Sequence, residues 1–143
     1  MPTLGRAIAI AAKTHRGQTD KAGMPYIEHP LHLMGKMRTE NERIVAVLHD
    51  VVEDGDVTLT DLCNEGFTDL VVGAVSALTH EKDESYAEYV RRVKLDPTAT
   101  RVKLADLEHN MDVTRLTRHL KESDLARIEK YHIAWLFLRE ADE

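Results

Sequence analysis

The sequence predicts an all-α fold, one bundle of about seven or eight helices that spans residues 1–143 as a single domain. Apolar residues recur at helical spacing, for example in the stripe formed by Ile44, Val47, Leu48 and Val51. Strand signals are poor, because aromatic residues make up only 5% of the chain and period-2 alternation is absent. A length of 143 residues suits one domain, and no linker-like segment divides it.

Caps, prolines and glycines predict where each helix begins and ends. Pro30 suits a first helical turn, which predicts that His29 lies at the mouth of the second helix. The expected helices cover about 3–15, 30–37, 41–52, 58–66, 68–78, 85–95, 98–111 and 123–138. The predicted N-terminal caps are Thr58 or Thr60, Thr68, Ser85 and Ser123.

Composition and charge exclude several classes of protein. A net charge of −6 argues against binding to nucleic acid, which needs clustered Lys and Arg. No apolar run reaches the roughly 18 to 20 residues that span a bilayer, and Arg6 and Lys13 interrupt the N-terminal apolar stretch, unlike a signal peptide. The single cysteine, Cys63, permits neither an internal disulfide nor a thiolate-rich zinc site. We expect a cytoplasmic protein with no nucleic-acid or membrane partner.

The segment AVLHDVVED carries the strongest chemical signal. Here His49, Asp50, Glu53 and Asp54 interrupt a run of apolar residues in the third predicted helix. Spacings of three and four residues place these side chains on neighbouring parts of one helical face. Carboxylates beside an apolar helix need a cation or a solvent-filled cleft, since an uncompensated buried charge costs several kcal/mol. The segment therefore predicts a metal site.

A second helix offers the complementary half of such a site. Lys103, Asp106 and Asn110 are spaced by three and four residues, while the apolar residues between them face the core. A third contribution is His29, in the segment PYIEHP. A His-Asp pair arises readily by chance in a chain rich in both residues. The combination of the three segments is what makes the signal specific.

Four segments occur in the order found in one known family: AAKTHRGQTDKAGMPYIEHPLHLM, VAVLHDVVEDGDVTLTDL, AVSALTHEKDESYAEYVRRV and VKLADLEHNMDVTRL. Through them the chain resembles the HD-domain hydrolases of the RelA/SpoT type, including the small alarmone hydrolases, over nearly its whole length. The resemblance implies an HD-domain bundle around one divalent metal ion, usually manganese. It implies the metal ligands His29, His49, Asp50 and Asp106. It also implies that Glu53 and Asp54 position or deprotonate the attacking water.

The chemistry of these residues agrees with that resemblance. Two imidazoles and two carboxylates suit manganese, iron or another borderline divalent ion, with coordination positions left for water and a phosphate oxygen. A bound cation lowers the pKa of water, and a nearby Glu or Asp accepts the proton. Hydrolysis then needs no covalent intermediate.

The predicted substrate contacts are Lys21, Lys103 and Asn110. Two departures from the family concern nucleotide recognition: Asp20 stands in place of an Arg, and Leu107 in place of the Arg of KLADRLHN. The chain also ends well short of the usual hydrolase domain, which leaves two alternatives open: one wall of the pocket is missing, or another subunit of a homo-oligomer supplies it.

The leading functional hypothesis is a metal-dependent hydrolase of a small phosphorylated nucleotide. The family-implied substrate is a guanosine tetraphosphate-type alarmone cleaved at its 3′-pyrophosphate. The alternatives are a hydrolase of a 2′- or 3′-phosphorylated cofactor and a noncatalytic nucleotide-sensing module. The remaining histidines, including His80 and His109, are interpreted as structural or surface residues.

Overall fold

The fold was analysed in a computed structural model, and the structure describes residues 2–140. Nine α-helices follow one another in this part of the chain: α1 Leu4–Thr14, α2 Glu28–Lys36, α3 Glu40–Leu48, α4 Val51–Asp54, α5 Leu59–Asn64, α6 Asp69–Leu78, α7 Tyr86–Lys94, α8 Pro97–Asn110 and α9 Glu122–Arg139. A short 3-10 helix, Val113–Arg115, precedes α9. No β-strand occurs among residues 2–140, which confirms the all-α prediction.

Most predicted helix starts are confirmed by their caps. The side chains of Thr58, Thr68 and Ser85 each accept a hydrogen bond from the backbone N–H of the third residue that follows. The predicted cap Ser123 is wrong, because α9 begins at Glu122. The carboxylate of Asp124 instead accepts the backbone N–H of Lys121 at 2.8 Å.

The continuous third helix predicted over 41–52 is also wrong. The structure divides it into α3 and α4, and His49 and Asp50 lie in the turn between them. Asp50 has φ −108° and ψ 0°, outside regular helical geometry. Counted as one interrupted helix, α3 and α4 bring the total to the eight predicted segments. Because of this interruption, the side chains of His49 and Asp50 do not lie on the face that a continuous helix would give them.

Helix α3 lies at the centre of the molecule. Its residues Val45, Ala46, Val47 and Leu48 have no exposed surface, and it packs against α1, α2, α6 and α8. Helix α8 also contacts α2, α6, α7 and α9. The two polar segments identified in the sequence are therefore carried by neighbouring helices that reach the core.

Within residues 2–140, none of the helices combines the length and apolarity needed to cross a membrane.

Candidate metal centre

Four predicted site residues converge between α2, α8 and the turn after α3. His29, His49 and Asp50 each offer one ligand atom, and these atoms lie within 4.8 Å of one another. Asp106, on α8, joins them through the histidines, with its Oδ1 2.8 Å from His29 Nε2 and 3.7 Å from His49 Nε2. Both histidines and Asp106 are buried. The structure thus brings together donors that are up to 77 residues apart in sequence.

The ring of His49 is oriented for ligation. Its Nδ1–H donates to the carbonyl of Ala46 at 2.7 Å, so Nε2 is the ring nitrogen that remains to bind a cation. That Nε2 is buried and has no hydrogen-bond partner, although Asp50 Oδ2 lies 3.0 Å away. Burial lowers the pKa of His49, but the negative charges of Asp50 and Asp106 outweigh burial and raise it well above its ordinary value. This field favours a cation, so the donor set fits a divalent metal ion.

His29 is oriented by a residue that the sequence interpretation missed. Its Nδ1 lies 2.6 Å from Nδ1 of His109, and His109 in turn stacks on His32 with ring centroids 3.9 Å apart. Burial, together with the positive charge of Arg115, lowers the pKa of His109 to about 4. A neutral His109 accepts the Nδ1–H of His29 and leaves His29 Nε2 free to bind a cation. The signal available in the sequence was the spacing of His109, three residues after Asp106 on α8.

The negative charge of Asp106 is stabilised by two of the predicted substrate contacts, Lys103 and Asn110. Lys103 Nζ donates to Oδ2 at 2.9 Å and Asn110 Nδ2 donates to Oδ1 at 3.0 Å. Burial raises the pKa of Asp106, but the charge of Lys103 and the adjacent rings of His29 and His49 hold it well below its ordinary value. The Asp106 carboxylate is therefore ionised at neutral pH.

A tyrosine that was not predicted orients the other carboxylate. The hydroxyl of Tyr26 donates to Asp50 Oδ2. Burial, reinforced by the charge of Asp50, raises the pKa of Tyr26, so its proton stays on the hydroxyl. Tyr26 lies three residues before His29 in PYIEHP, a spacing that could have indicated it.

The acidic pair Glu53 and Asp54 lies on α4, directly after the HD turn. One Glu53 carboxylate oxygen accepts the backbone N–H of His80. Burial raises the pKa values of both carboxyl groups, and the negative charge of Asp50 raises both values further. Carboxylates with raised pKa values beside a cation site are suited to accept a proton from water.

Lys21 lies apart from the metal cluster, in an adjoining cavity of about 380 Å³. Tyr26 and Asn110 line the side of this cavity next to the cluster, and Arg115 and Arg127 line its wall. The cavity therefore adjoins the cluster. Its charged lining consists of Lys21, Arg115 and Arg127 together with Asp20, Asp112 and Asp124, and Arg115 and Arg127 form salt bridges with Asp20 and Asp124.

The two departures from the family have structural explanations. Asp20 Oδ1 accepts the backbone N–H groups of Ala22 and Met24, and its Oδ2 accepts from Arg115 at 2.8 Å. The acid at position 20 thereby holds a guanidinium group at the cavity wall. Leu107 is 1% exposed and belongs to the hydrophobic core.

The neutral state of His109 predicts how the folding stability of the protein depends on pH. Because its folded-state pKa of about 4 lies below the ordinary 6.5, the unfolded chain binds more protons between these values, and stability falls as pH drops through that window. We expect the urea midpoint of the metal-free protein to fall more steeply between pH 6.5 and pH 4 in the wild type than in His109→Gln. Equal pH dependence in the two proteins would show that His109 is not held neutral.

The fold and the donor set define an all-helical protein with a buried site for a divalent metal ion. A sequence profile of the HD domain family matches residues 7–131. The chain belongs to the HD domain family.

Comparison with known proteins supports this assignment. The chain is 34% identical over 139 residues to the bifunctional (p)ppGpp synthase/hydrolase SpoT of Escherichia coli (strain K12), covering 87% of this chain and 20% of that protein. It is 36% identical over 135 residues to a GTP pyrophosphokinase of Streptomyces coelicolor, covering 85% of this chain and 16% of that protein. The chain thus spans about a fifth of the length of these relatives.

A solved structure shares the fold across almost the whole chain. It was described in the words "A metazoan ortholog of SpoT hydrolyzes ppGpp and plays a role in starvation responses". The TM-score is 0.75 at 25% identity, with 97% of this chain and 88% of that chain covered. This similarity confirms the HD-type helical bundle.

Proposed function

We propose that this chain is a metal-dependent phosphohydrolase that removes the 3′-pyrophosphate of guanosine tetraphosphate-type nucleotides. The observation that carries the proposal is the buried, unpartnered Nε2 of His49, surrounded by His29, Asp50 and Asp106. Relatives named as (p)ppGpp hydrolases and the solved structure of a ppGpp-hydrolysing SpoT ortholog support the choice of nucleotide.

One divalent ion, which we propose to be Mn²⁺, is held by His29, His49, Asp50 and Asp106. Mixed imidazole and carboxylate donors suit this ion. The ion supplies Lewis-acid chemistry, polarising a phosphoryl oxygen and lowering the pKa of water.

The protein's own side chains supply proton transfer and orientation. Glu53 and Asp54 align the attacking water and accept its proton, as their position beside Asp50 and their raised pKa values support. Lys103 and Asn110 hold Asp106 and face the bound phosphate, while Lys21 binds the substrate in the adjoining cavity. Water attacks the phosphorus atom bonded to the 3′ oxygen, the bond between this phosphorus and the 3′ oxygen breaks, and the proton accepted by the carboxylate is returned to that oxygen. Pyrophosphate therefore leaves without a covalent enzyme intermediate.

The cavity beside the metal cluster favours a second candidate substrate class. Asp20, which is paired with Arg115, stands where the family has an Arg. A different 2′- or 3′-phosphorylated nucleotide is therefore the alternative substrate that we propose to test.

In both cases we propose that residues 1–143 form one HD-type domain, that the partner is a small nucleotide without nucleic acid, and that the protein acts in the cytoplasm.

A nucleotide panel tests the proposal. We expect the purified protein with Mn²⁺ to release pyrophosphate from ppGpp, and to lose this activity when a chelator removes the metal. The panel includes GTP and 2′- and 3′-phosphorylated cofactors, with phosphate and pyrophosphate measured separately. Faster release from another panel member would reassign the substrate. Nucleotide binding without any release would support the sensing alternative and overturn the hydrolase.

A further inference from the structure

Glu53, one of the two proposed proton acceptors, is held by a backbone group that itself needs support. Its carboxylate accepts the N–H of His80, and His80 lies in the loop 79–85 that joins α6 to α7. Loops are ordinarily more mobile than the helices they connect. The orientation of Glu53 therefore depends on what fixes this loop.

One arginine ties the loop to both flanking helices. From α7, the guanidinium of Arg92 donates to both carboxylate oxygens of Glu84, each at 2.8 Å. It also donates to the carbonyls of Ser76, Ala77 and Thr79 at 3.0, 3.2 and 2.8 Å. These bonds use all five N–H donors of an arginine, and they lie at the C-terminal end of α6, where a positive charge is favoured.

Hydrogen bonds of Glu84 and His80 within the loop also hold its conformation. Glu84 Oε1 accepts the backbone N–H of Glu81 at 3.2 Å, and the Nε2–H of His80 donates to the carbonyl of Glu84 at 2.7 Å. The His80 ring stacks on Tyr89 of α7 with ring centroids 4.7 Å apart. The side chain of His80 is thus anchored while its backbone N–H points to Glu53.

We infer that Arg92 and Glu84 form a positioning pair, which acts through the backbone N–H of His80 to orient the Glu53 carboxylate for proton transfer. The inference deepens the proposed function and rests on it. The His80 N–H restrains one carboxylate oxygen of Glu53, so that the other is directed to the attacking water. Arg92 itself has no contact with the metal cluster among the hydrogen bonds of residues 2–140.

A double-mutant cycle tests the inference. Lysine keeps the charge of Arg92 but lacks the planar fork that reaches Glu84 and three carbonyls together. We expect Arg92→Lys to lower kcat by about tenfold to a hundredfold, the range that a small misplacement of a reacting group produces, with KM and Mn²⁺ affinity unchanged. In the Glu53→Gln background the same substitution should have no further effect on kcat. Arg91→Lys, on the exposed neighbouring position of α7, is the matched control and should leave kcat unchanged.

An equal loss of kcat from Arg92→Lys in both backgrounds would overturn the inference, because the arginine would then act independently of Glu53. Should Arg92→Lys fail to fold, Glu84→Gln replaces it in the same cycle.

The amide proton of His80 in NMR spectra gives a readout that does not depend on turnover. We expect its chemical shift to move in both Glu53→Gln and Arg92→Lys, and to stay in place in Arg91→Lys. An unchanged shift in Arg92→Lys would also overturn the inference. Absence of turnover in the wild type would overturn the proposed function alone, since the amide still reports whether the pair holds Glu53.

Discussion

Asp106→Asn is expected to abolish metal binding and turnover. The amide keeps the size of the side chain but loses the negative charge that lies 2.8 Å from His29 Nε2 and 3.7 Å from His49 Nε2. Mutating a residue that only hydrogen-bonds to a metal ligand typically costs about 10–100-fold in metal affinity or activity, and Asp106 is itself a proposed ligand. We therefore expect turnover to fall by more than about a hundredfold, with Mn²⁺ affinity measured by isothermal titration falling in parallel.

The same substitution should destabilise the metal-free protein. The Lys103 side chain is 12% exposed, and its salt bridge to Asp106 at 2.9 Å raises its pKa well above the ordinary value although burial alone lowers it. Removing one partner of a buried ion pair typically costs about 3–5 kcal/mol, because the other charge stays buried without compensation. Urea denaturation of the metal-free wild type and variant measures this loss of unfolding free energy.

Glu108→Gln is the matched control for this prediction. It makes the same acid-to-amide change on the same helix, at an exposed side chain that accepts a hydrogen bond from Trp135. Metal affinity, turnover and stability should stay close to those of the wild type. If Asp106→Asn bound Mn²⁺ as tightly as Glu108→Gln does, Asp106 would not be a ligand.

Local sequence signals predicted most of the fold. Thr58, Thr68 and Ser85 begin helices because a cap depends only on a side chain and the backbone of the next three residues. The break at His49 and Asp50 could not be predicted in the same way. The apolar stripe runs through it without interruption, and the turn is stabilised by contacts with residues far away in sequence, such as Tyr26 and Asp106.

The same distinction separates the site residues that were predicted from those that were missed. Histidines and carboxylates in short motifs indicate a metal site by their chemistry alone. His109 acts through a ring contact with His29, 80 residues away. His80 acts through its backbone N–H on Glu53, 27 residues away. A backbone donor has no residue type that reports it, so only the folded chain reveals this contribution.

Glu53→Gln is expected to leave the metal site intact and to remove most of the catalysis. The amide keeps an oxygen that accepts the His80 N–H but cannot take a proton from water. General-base catalysis typically contributes about 10²–10⁴-fold, so kcat should fall within that range while Mn²⁺ affinity and KM change little. Single-turnover pyrophosphate release and isothermal titration measure the two effects separately.

The pH profile of kcat then tests whether Glu53 is the base. A base must be deprotonated to act, so activity falls as pH drops through its pKa. In the metal-free protein, burial raises the pKa of Glu53 above its ordinary value, and we expect the acid limb of the wild-type profile to follow protonation of this carboxylate. In Glu53→Gln this limb should disappear, and in Asp54→Asn it should remain. The reverse result would assign proton transfer to Asp54, since burial raises its pKa as well, and would leave Glu53 with an orienting role.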